Sequence, residues 1–539
     1  MEQPATDIEI PSWIQELLFN FQVEHLKVLL KSLRANGIAL DCSDAGAGKT
    51  YILAAICAVL GLKPFVIGQK AGISNVYRVC ELFRVVPLGN VNYETVKNGK
   101  CYDSLESFHN EERKECEYVQ IIRKQAQDPM TKKLLNTPNG QPRMIIEKII
   151  WSFPENTIIV FDEAHKGRNG KASKAETGNS KLMSSIKPYL RKDRKIYGLF
   201  LSATITDKLE NFDVIAYLLG LYRPYQPKIY GQFLRRFGSD PQIVFKKIHK
   251  LIFPKYASRI DIKTVKAAYG DAIFKNNDMQ AIMCPVDQVT ARAIENTHRE
   301  IQEAMTVLRS KGISRGFGAI IRFWQRIEVL KVPAVAEVVL QYLREGKKVV
   351  VFVNFTETKN LLVQKILETP SGPVNMDRID FIDGNQNAGQ RDMIREAFQQ
   401  GLLELLICQI KAGGISLSLH HVFGDKQHVT VIFPTWSATD LKQALGRIYR
   451  ANSKTDAIQR IVYCKFMGST AQVVAEIDGQ EAEYLGTLCI EEKLCQNVNA
   501  KLENIEMLNN GDLSGLEKIE LEEIELERSA TGERSATGA

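Results

Sequence analysis

Short runs of apolar, largely β-branched residues recur along the chain, separated by longer stretches with helical spacing. The first series is "IALDCS" (38–43), "PFVIG" (64–68), "NVNYE" (90–94), "TIIVFD" (157–162) and "YGLFLSAT" (197–204). Runs this apolar predict strands buried on both faces, and their alternation with helices predicts a parallel, doubly wound sheet. A helical, basic stretch over 226–332 interrupts the pattern. It restarts with "KKVVVFV" (347–353), "RIDFID" (378–383), "ELLICQ" (404–409), "VTVIFP" (429–434) and "RIVYC" (460–464). The expected architecture is α/β, with one doubly wound domain over 1–225, a helical linker over 226–332, a second doubly wound domain over 333–480 and a helical C-terminal extension over 481–539. Residues 97–150, rich in Lys, Arg and Glu, are expected to form a mostly helical insertion. The closing "ERSATGERSATGA" writes a six-residue unit twice and is expected to be disordered.

Composition narrows the class. The chain has 539 residues, 45% hydrophobic and 25% charged, which suits a globular protein of more than one core. Its apolar runs fall far short of the roughly 20 residues of a membrane-spanning helix. The opening "MEQPATDIEIPSW" lacks the basic-then-apolar order of a signal peptide, so an intracellular place, cytoplasm or nucleus, is expected. Ten cysteines include no C-x-x-C pair, which argues against a zinc ribbon and a disulfide framework. The net charge is +7, but residues 517–539 carry seven Glu against one Lys and two Arg, leaving a more basic body that suits a polyanionic partner.

The candidate chemistry starts at "DCSDAGAGKTYI" (41–52). A phosphate loop is usually G-x-x-x-x-G-K-[ST]; here Ser43 stands at the leading glycine, and Asp44, Ala45, Gly46, Ala47, Gly48, Lys49 and Thr50 follow. Gly46 and Gly48 let the backbone curl so that N–H groups face phosphate oxygens. Lys49 would then reach the terminal phosphates of ATP, and Thr50 would hold Mg²⁺. A bare glycine turn between strand and helix is the competing reading. "IIVFDEAH" (158–165) puts Asp162 at the carboxyl end of a buried strand, where it can hold the metal, with Glu163 placed to deprotonate water. An acidic pair capping a helix is the alternative.

"GAGKT", "DEAH", "LSATITD" (201–207) and "QALGRIYR" (443–450), in this order, resemble motifs I, II, III and VI of the superfamily 2 helicases and translocases, over roughly 15–465. "FQVEHL" (21–26) resembles the segment whose glutamine, here Gln22, reads adenine. "NYETVKNGK" (92–100) resembles a segment near the nucleic-acid path, "VVVFVNFTET" (349–358) resembles motif IV, and "KAGGISLSLHH" (411–421) resembles motif V. The arrangement is similar to helicase-like proteins of large double-stranded DNA viruses. Ser416 and Ser418 depart from motif V of chromatin-remodelling relatives, and "VIGQKAGISN" (66–75) lacks the usual motif Ia proline.

The resemblance implies two RecA-like domains closing over ATP. Arg447 and Arg450 would enter from the second domain, Gln443 would sense the γ-phosphate, and Ser202 and Thr204 would couple nucleotide state to domain arrangement. Lys70, Asn75, Asn354, Thr356, Lys411 and Gly413 would contact a nucleic-acid backbone, DNA or RNA. For Arg447 and Arg450 the competing reading is a solvated basic helix face. In "SRGFGAIIRFWQRIEVLKVPAV" (314–335), Arg322, Arg326 and Lys331 accompany Phe323 and Trp324 and could stack on bases, but Phe323, Ile327 and Leu330 share a helical stripe, which favours core packing. Cys101 and Cys116 read as too isolated for a metal site. The expected function is an ATP-driven helicase or translocase, monomeric and without a membrane role, in viral transcription or replication and working with proteins of those processes in a virus factory or virion. The alternative is an assembly or transcription-complex subunit that uses the motor fold as a switch or scaffold.

Overall fold

In the computed structural model the apolar runs pair into two parallel sheets, one in each domain. The structure describes residues 8–128, 131–137, 139–167, 177–206, 208–311, 316–369, 372–410, 417–435, 437–466, 473–477, 480–484, 490–511 and 521–523. The first part of the chain supplies β1 (Ile38–Asp41), β2 (Lys63–Gly68), β3 (Gly89–Asn92), β4 (Lys100–Cys101), β5 (Lys114–Glu115), β6 (Val119–Gln125), β7 (Met144–Trp151), β8 (Thr157–Asp162), β9 (Ile196–Leu201) and β10 (Ala257–Ser258). Six of these form a sheet in the order β10-β1-β9-β8-β2-β3, every pair parallel. Alternate side chains enter separate cores. Ala39 packs with α1 (Asn20–Asn36), α2 (Lys49–Leu60) and α3 (Ile73–Leu82), while Ile38 and Leu40 pack on the other face with α4 (Pro241–Ile252).

Register decides where chemistry can sit. Leu201, the last residue of β9, pairs with Asp41 on one side and Asp162 on the other. The loops after β1, β8 and β9 therefore leave the sheet side by side at its carboxyl edge, the usual ligand-binding edge of a doubly wound fold.

The second sheet uses β11 (Asn277–Val286), β12 (Lys348–Val353), β13 (Ile379–Ile382), β14 (Leu405–Gln409), β15 (His428–Ile432) and β16 (Ala457–Phe466). A short hairpin, β17 (Val473–Ile477) and β18 (Gln480–Tyr484), follows, and β19 (Leu521–Glu523) closes the sheet order β13-β14-β12-β15-β16-β11-β19. The helices that matter below are α5 (Gly316–Leu330), α6 (Val332–Arg344), α7 (Thr356–Leu367), α8 (Ala388–Gln400), α9 (Ala438–Leu445) and α10 (Ile490–Asn510).

Three expectations are corrected. The 97–150 insertion is mainly β: β4 pairs with β5, and β6 with β7, both antiparallel. The residues "VQIIRKQ" and "MIIEKIIW" alternate in burial near the base of the longer hairpin, where Val119, Ile149 and Trp151 join the first core. The 226–332 stretch is no separate linker, since β10 completes the first sheet and β11 belongs to the second. Cys101 and Cys116 are not isolated from one another, since both are buried in the same core, although among the described residues no group of side chains that could hold a metal includes them. The C-terminal extension contains the expected helix, α10, and also β19 on the outer edge of the second sheet. Residues 524–539, with the repeated unit, lie outside the described residues. Among the described residues no helix is long and apolar enough to cross a membrane.

Candidate nucleotide site and nucleic-acid groove

The loop after β1 turns through Gly46 (φ 89°) and Gly48 (φ 94°), left-handed values that favour glycine. A Cβ on Gly48 would lie 2.3 Å from Gln22 Nε2, and one on Gly46 would lie 3.1 Å from Tyr449 O of the second domain. Gln22 is held by its own helix start, where Phe19 N donates to its Oε1 at 3.0 Å, and its Nε2 donates to Ala47 O at 3.0 Å. Lys49 opens α2, and its Nζ donates to Ser43 O (2.8 Å) and Asp44 O (3.0 Å), both acceptors within the loop itself. Ser43 has a job that a glycine could not do: its Oγ accepts from Ile260 N at 3.0 Å and lies 3.3 Å from His25 Nε2. His25 also approaches buried Asp41 at 3.2 Å. The loop is thus fastened to the segment following β10.

The Asp44 side chain turns away from the phosphate side. Its Oδ1 accepts from Arg259 Nη2 at 3.0 Å and its Oδ2 from Ile262 N at 3.1 Å. Burial alone would raise its carboxyl, but Lys442 and Arg259 reverse this and hold it at about 2. Its backbone is occupied as well, with N–H donated to Ile260 O at 3.1 Å and O accepting from Lys49, so Asp44 braces the loop instead of lining the cleft.

The acidic pair after β8 stands beside this loop. Asp162 Oδ1 accepts from Glu163 N at 3.0 Å, and Tyr93 Oη donates to Asp162 O at 2.9 Å. Burial, and then the neighbouring Glu163 carboxylate, push Asp162 up to about 7, with Lys49 pulling the other way. Glu163 sits at φ 53°, a conformation that costs a non-glycine residue energy and clusters at working sites. His165 Nδ1 lies 3.3 Å from Glu163 Oε2 and 3.1 Å from Ser202 Oγ, joining the acidic loop to the loop after β9. Ser202 Oγ in turn accepts from Thr204 N at 3.2 Å.

The second domain faces these loops with α9 and the turn after it. Arg447 is 3% exposed; its Nε donates to Gln443 O at 2.8 Å. Burial lowers its guanidinium to about 10, opposed by the Glu163 and Asp162 carboxylates across the domain boundary, so it is charged at neutral pH. Arg450 Nη1 donates to Ser418 Oγ at 2.6 Å, and burial and the charge of Arg447 bring it to about 9. Neither arginine is a solvated helix face.

Gln22, Ala45 through Thr50, Asp162, Glu163, Thr204, Gln443, Arg447 and Arg450 line one cleft of about 680 Å³ between the domains. Gln443 Nε2 and Thr204 Oγ1 are buried there without a hydrogen-bond partner, and two carboxylates lie side by side. Unmatched polar groups of this kind mark a site shaped for a polar ligand. The donor set, with a hydroxyl at Thr50 and a carboxylate at Asp162, suits a hard divalent cation such as Mg²⁺.

The nucleic-acid candidates divide. Lys70 Nζ pairs with Glu111 at 2.5 Å in an open groove of about 620 Å³, which His109, Asn110 and Glu111 share with Gly384, Asn387 and Gln390 of the second domain. Thr356 is exposed at the start of α7. Asn75 belongs elsewhere: its Nδ2 lies 3.4 Å from Thr50 Oγ1, and it lines the nucleotide cleft. Asn354 is also withdrawn, because its Nδ2 is taken by Glu328 Oε2 (2.5 Å) and Pro434 O (3.1 Å). Lys411, Gly413 and Ser416 lie outside the described residues. Phe323, Trp324 and Leu330 pack on the second core with buried Ile327, and Lys331 is buried with Nζ on Val462 O at 2.9 Å, so this stripe is packing. Arg259, His25, Glu328 and Glu506 were missed by sequence reasoning; their partners lie far away in the chain and leave no local pattern.

Comparison with known proteins bears on the family. The model of the helicase conserved C-terminal domain matches residues 331–452. A protein of Acanthamoeba polyphaga mimivirus, described as a "putative ATP-dependent RNA helicase", is 30% identical over 525 residues, covering 92% of this chain and 84% of its own. Among solved structures, S. cerevisiae Dbp5 bound to RNA and ADP BeF3 is 12% identical with a TM-score of 0.44, covering 95% of this chain and 92% of that one. The Sulfolobus solfataricus SWI2/SNF2 ATPase core in complex with dsDNA is 14% identical with a TM-score of 0.31, covering 82% and 87%. With the likeness to the viral protein running over nearly the whole chain, and a nucleotide cleft assembled from both domains, the chain belongs to the superfamily 2 helicases and is an ATP-dependent helicase, an ATPase.

Proposed function

We propose that this helicase acts on RNA and hydrolyses ATP in the cleft between its domains, with a DEAH-type acidic loop. The observation that carries the reading is the convergence of the β1, β8 and β9 loops with Arg447 and Arg450 around a single cavity. RNA as the track is supported by the description of the mimivirus relative.

In this reading the N–H groups of 46–50 and Lys49 Nζ, released from the loop carbonyls, bind the phosphates. Thr50 and Asp162 would hold Mg²⁺, which would offset phosphate charge when bound. Glu163 takes the proton of the attacking water, and His165 keeps that carboxylate in place. Arg447 and Arg450 offset charge on the transferring group, a contribution on the order of 10³ to 10⁵ in rate. Because they come from the second domain, turnover depends on closure. Gln443 and Thr204 supply the remaining polar contacts. Lys70 and Thr356 position the strand by its backbone, so affinity is independent of sequence.

The test is steady-state ATP hydrolysis with single- and double-stranded RNA and DNA at one fixed salt concentration. Stimulation by RNA and not by DNA is expected; stimulation by DNA alone would overturn the choice of track. Lys49→Ala should reduce turnover by about a hundredfold or more while leaving the circular-dichroism melt and nucleotide-free RNA binding in place. Wild-type turnover in that variant would remove the loop from the mechanism.

A further inference from the structure

Helix α10 is anchored in both domains. Cys495, Val498 and Ile505 are buried in a core of the second domain, and Met507 and Leu508 in a core of the first. Its last turn ends on the nucleotide loops. Glu506, 3% exposed, accepts from Arg259 Nη1 at 3.1 Å, and Arg259 Nη2 donates to Asp44 Oδ1 in the phosphate loop at 3.0 Å. Asn509, 2% exposed, donates from Nδ2 to Ala203 O at 3.0 Å, the residue between Ser202 and Thr204. Lys442, next to Gln443 on α9, lies 3.7 Å from Asp44 Oδ1 and 3.9 Å from Glu506 Oε2. His249 Nδ1 meets Leu508 O at 2.9 Å, fixing the helix end to α4.

We propose that α10 is a positioning strap for ATP hydrolysis: Glu506, through Arg259, fixes the phosphate loop, and Asn509 fixes the Ser202–Thr204 loop, both in step with the seating of the second domain. This rests on the reading of those loops as the nucleotide site. A helix end that served stability alone would bury apolar side chains, because burying an ion pair and an amide costs dehydration that an apolar substitute avoids. Here Glu506 reaches the phosphate loop through Arg259, and Asn509 separately reaches the Ser202–Thr204 loop, all through polar side chains with little exposure. A helix is also stiff along its axis, with a rise of about 1.5 Å per residue fixed by hydrogen bonds, so α10 ties the seating of the second domain at 495–505 to the placement of Glu506 and Asn509 on the first. Glu506, Arg259 and Asn509 touch no reacting atom; they act through Asp44 and Ala203.

The test uses the full chain with Glu506→Gln, Glu506→Asp and Asn509→Ala, alongside Lys49→Ala. Glu506→Gln and Asn509→Ala are each expected to lower kcat for ATP, counted per folded molecule, about tenfold with KM for ATP changed by less than about twofold; the melting temperature of each is measured alongside, because removing a buried partner also lowers stability. Glu506→Asp, which keeps the charge, should recover part of the loss. If both variants turn over like wild type, lose kcat only in proportion to folded protein, or alter KM alone, the strap is overturned. Should Glu506→Gln fail to fold, Asn509→Ala decides by itself. An inactive Lys49→Ala beside fully active Glu506→Gln and Asn509→Ala removes the strap and leaves the nucleotide site standing; an active Lys49→Ala removes the site itself.

Discussion

The imidazole of His428 donates Nδ1–H to Leu419 O at 2.8 Å, which fixes its tautomer, and Nε2 is buried with no partner among the described residues. A proton added there would enter a pocket without an acceptor. Burial, supported by the charge of Lys348 and by His421 and His420, takes its pKa to about 3 despite the Leu419 carbonyl. The folded value lies below the unfolded one of about 6.5, so the unfolded chain binds the proton first. The contribution of this residue is whole above pH about 6.5 and is lost as pH falls toward the folded value, a loss on the order of 2 kcal/mol by pH 5. Melts at pH 7 and pH 5 should show the second domain weakening, and His428→Gln should shrink that difference. Residues of this kind are opaque in sequence, because their chemistry depends on neighbours brought in by folding. Lys49, Asp162, Glu163 and Arg447 were legible as candidates because short local patterns single them out, and the fold brings all four to one cleft. Asn75 and Asn354 were misplaced for the converse reason: each stands in a motif-like stretch, yet Thr50 claims one and Glu328 the other.

Elements were readable where their pattern was strong. Short runs apolar on both faces point to a parallel sheet, and each run pairs in one, with β3 and β13 at an edge and the others inside. The insertion was misread because its Lys, Arg and Glu content resembles a helix surface, while the two-residue alternation that marks a hairpin is short and interrupted by a register shift at Ile122 and Arg123. Connections between elements were hidden too. Glu328 on α5 is 4% exposed, and burial raises its carboxyl. It accepts from Asn354 N (2.9 Å), Asn354 Nδ2 (2.5 Å) and Phe355 N (3.2 Å), and so fastens α5 to the turn between β12 and α7. Removing it strands buried donors. Glu328→Ala should cost about 3 kcal/mol, a fall of roughly 5–10 °C in the melting of the second domain, with Glu328→Gln losing less.

Across the whole molecule, two kinds of contact join the domains. Arg78 lies 3.5 Å from Asp392 and 3.8 Å from Glu396, and His109 lies 3.5 Å from Asp392. These pairs are partly open to solvent and are worth under about 1 kcal/mol each, less in salt. The buried seam through Arg447, Arg450 and α10 is the stronger. Because both domains line the nucleotide cleft, a non-hydrolysable ATP analogue at a hundred times its dissociation constant should stabilise them together by about 2.7 kcal/mol. Calorimetry should show the gain in wild type and little of it in Lys49→Ala. The two-residue strand β10 bears on how the protein can be taken apart. Leu40 N, Cys42 N and Asp44 N bond to Tyr256 O (2.8 Å), Ser258 O (2.9 Å) and Ile260 O (3.1 Å). Phe274, further on, packs in one cluster with Ala47 of the phosphate loop. A fragment cut at 225 would carry all the sequence motifs of the first domain and still expose the flank of β1 as a bare sheet edge, the kind that sticks to other chains. Scissors belong between Phe274 and Asn277, well after the last motif of that half.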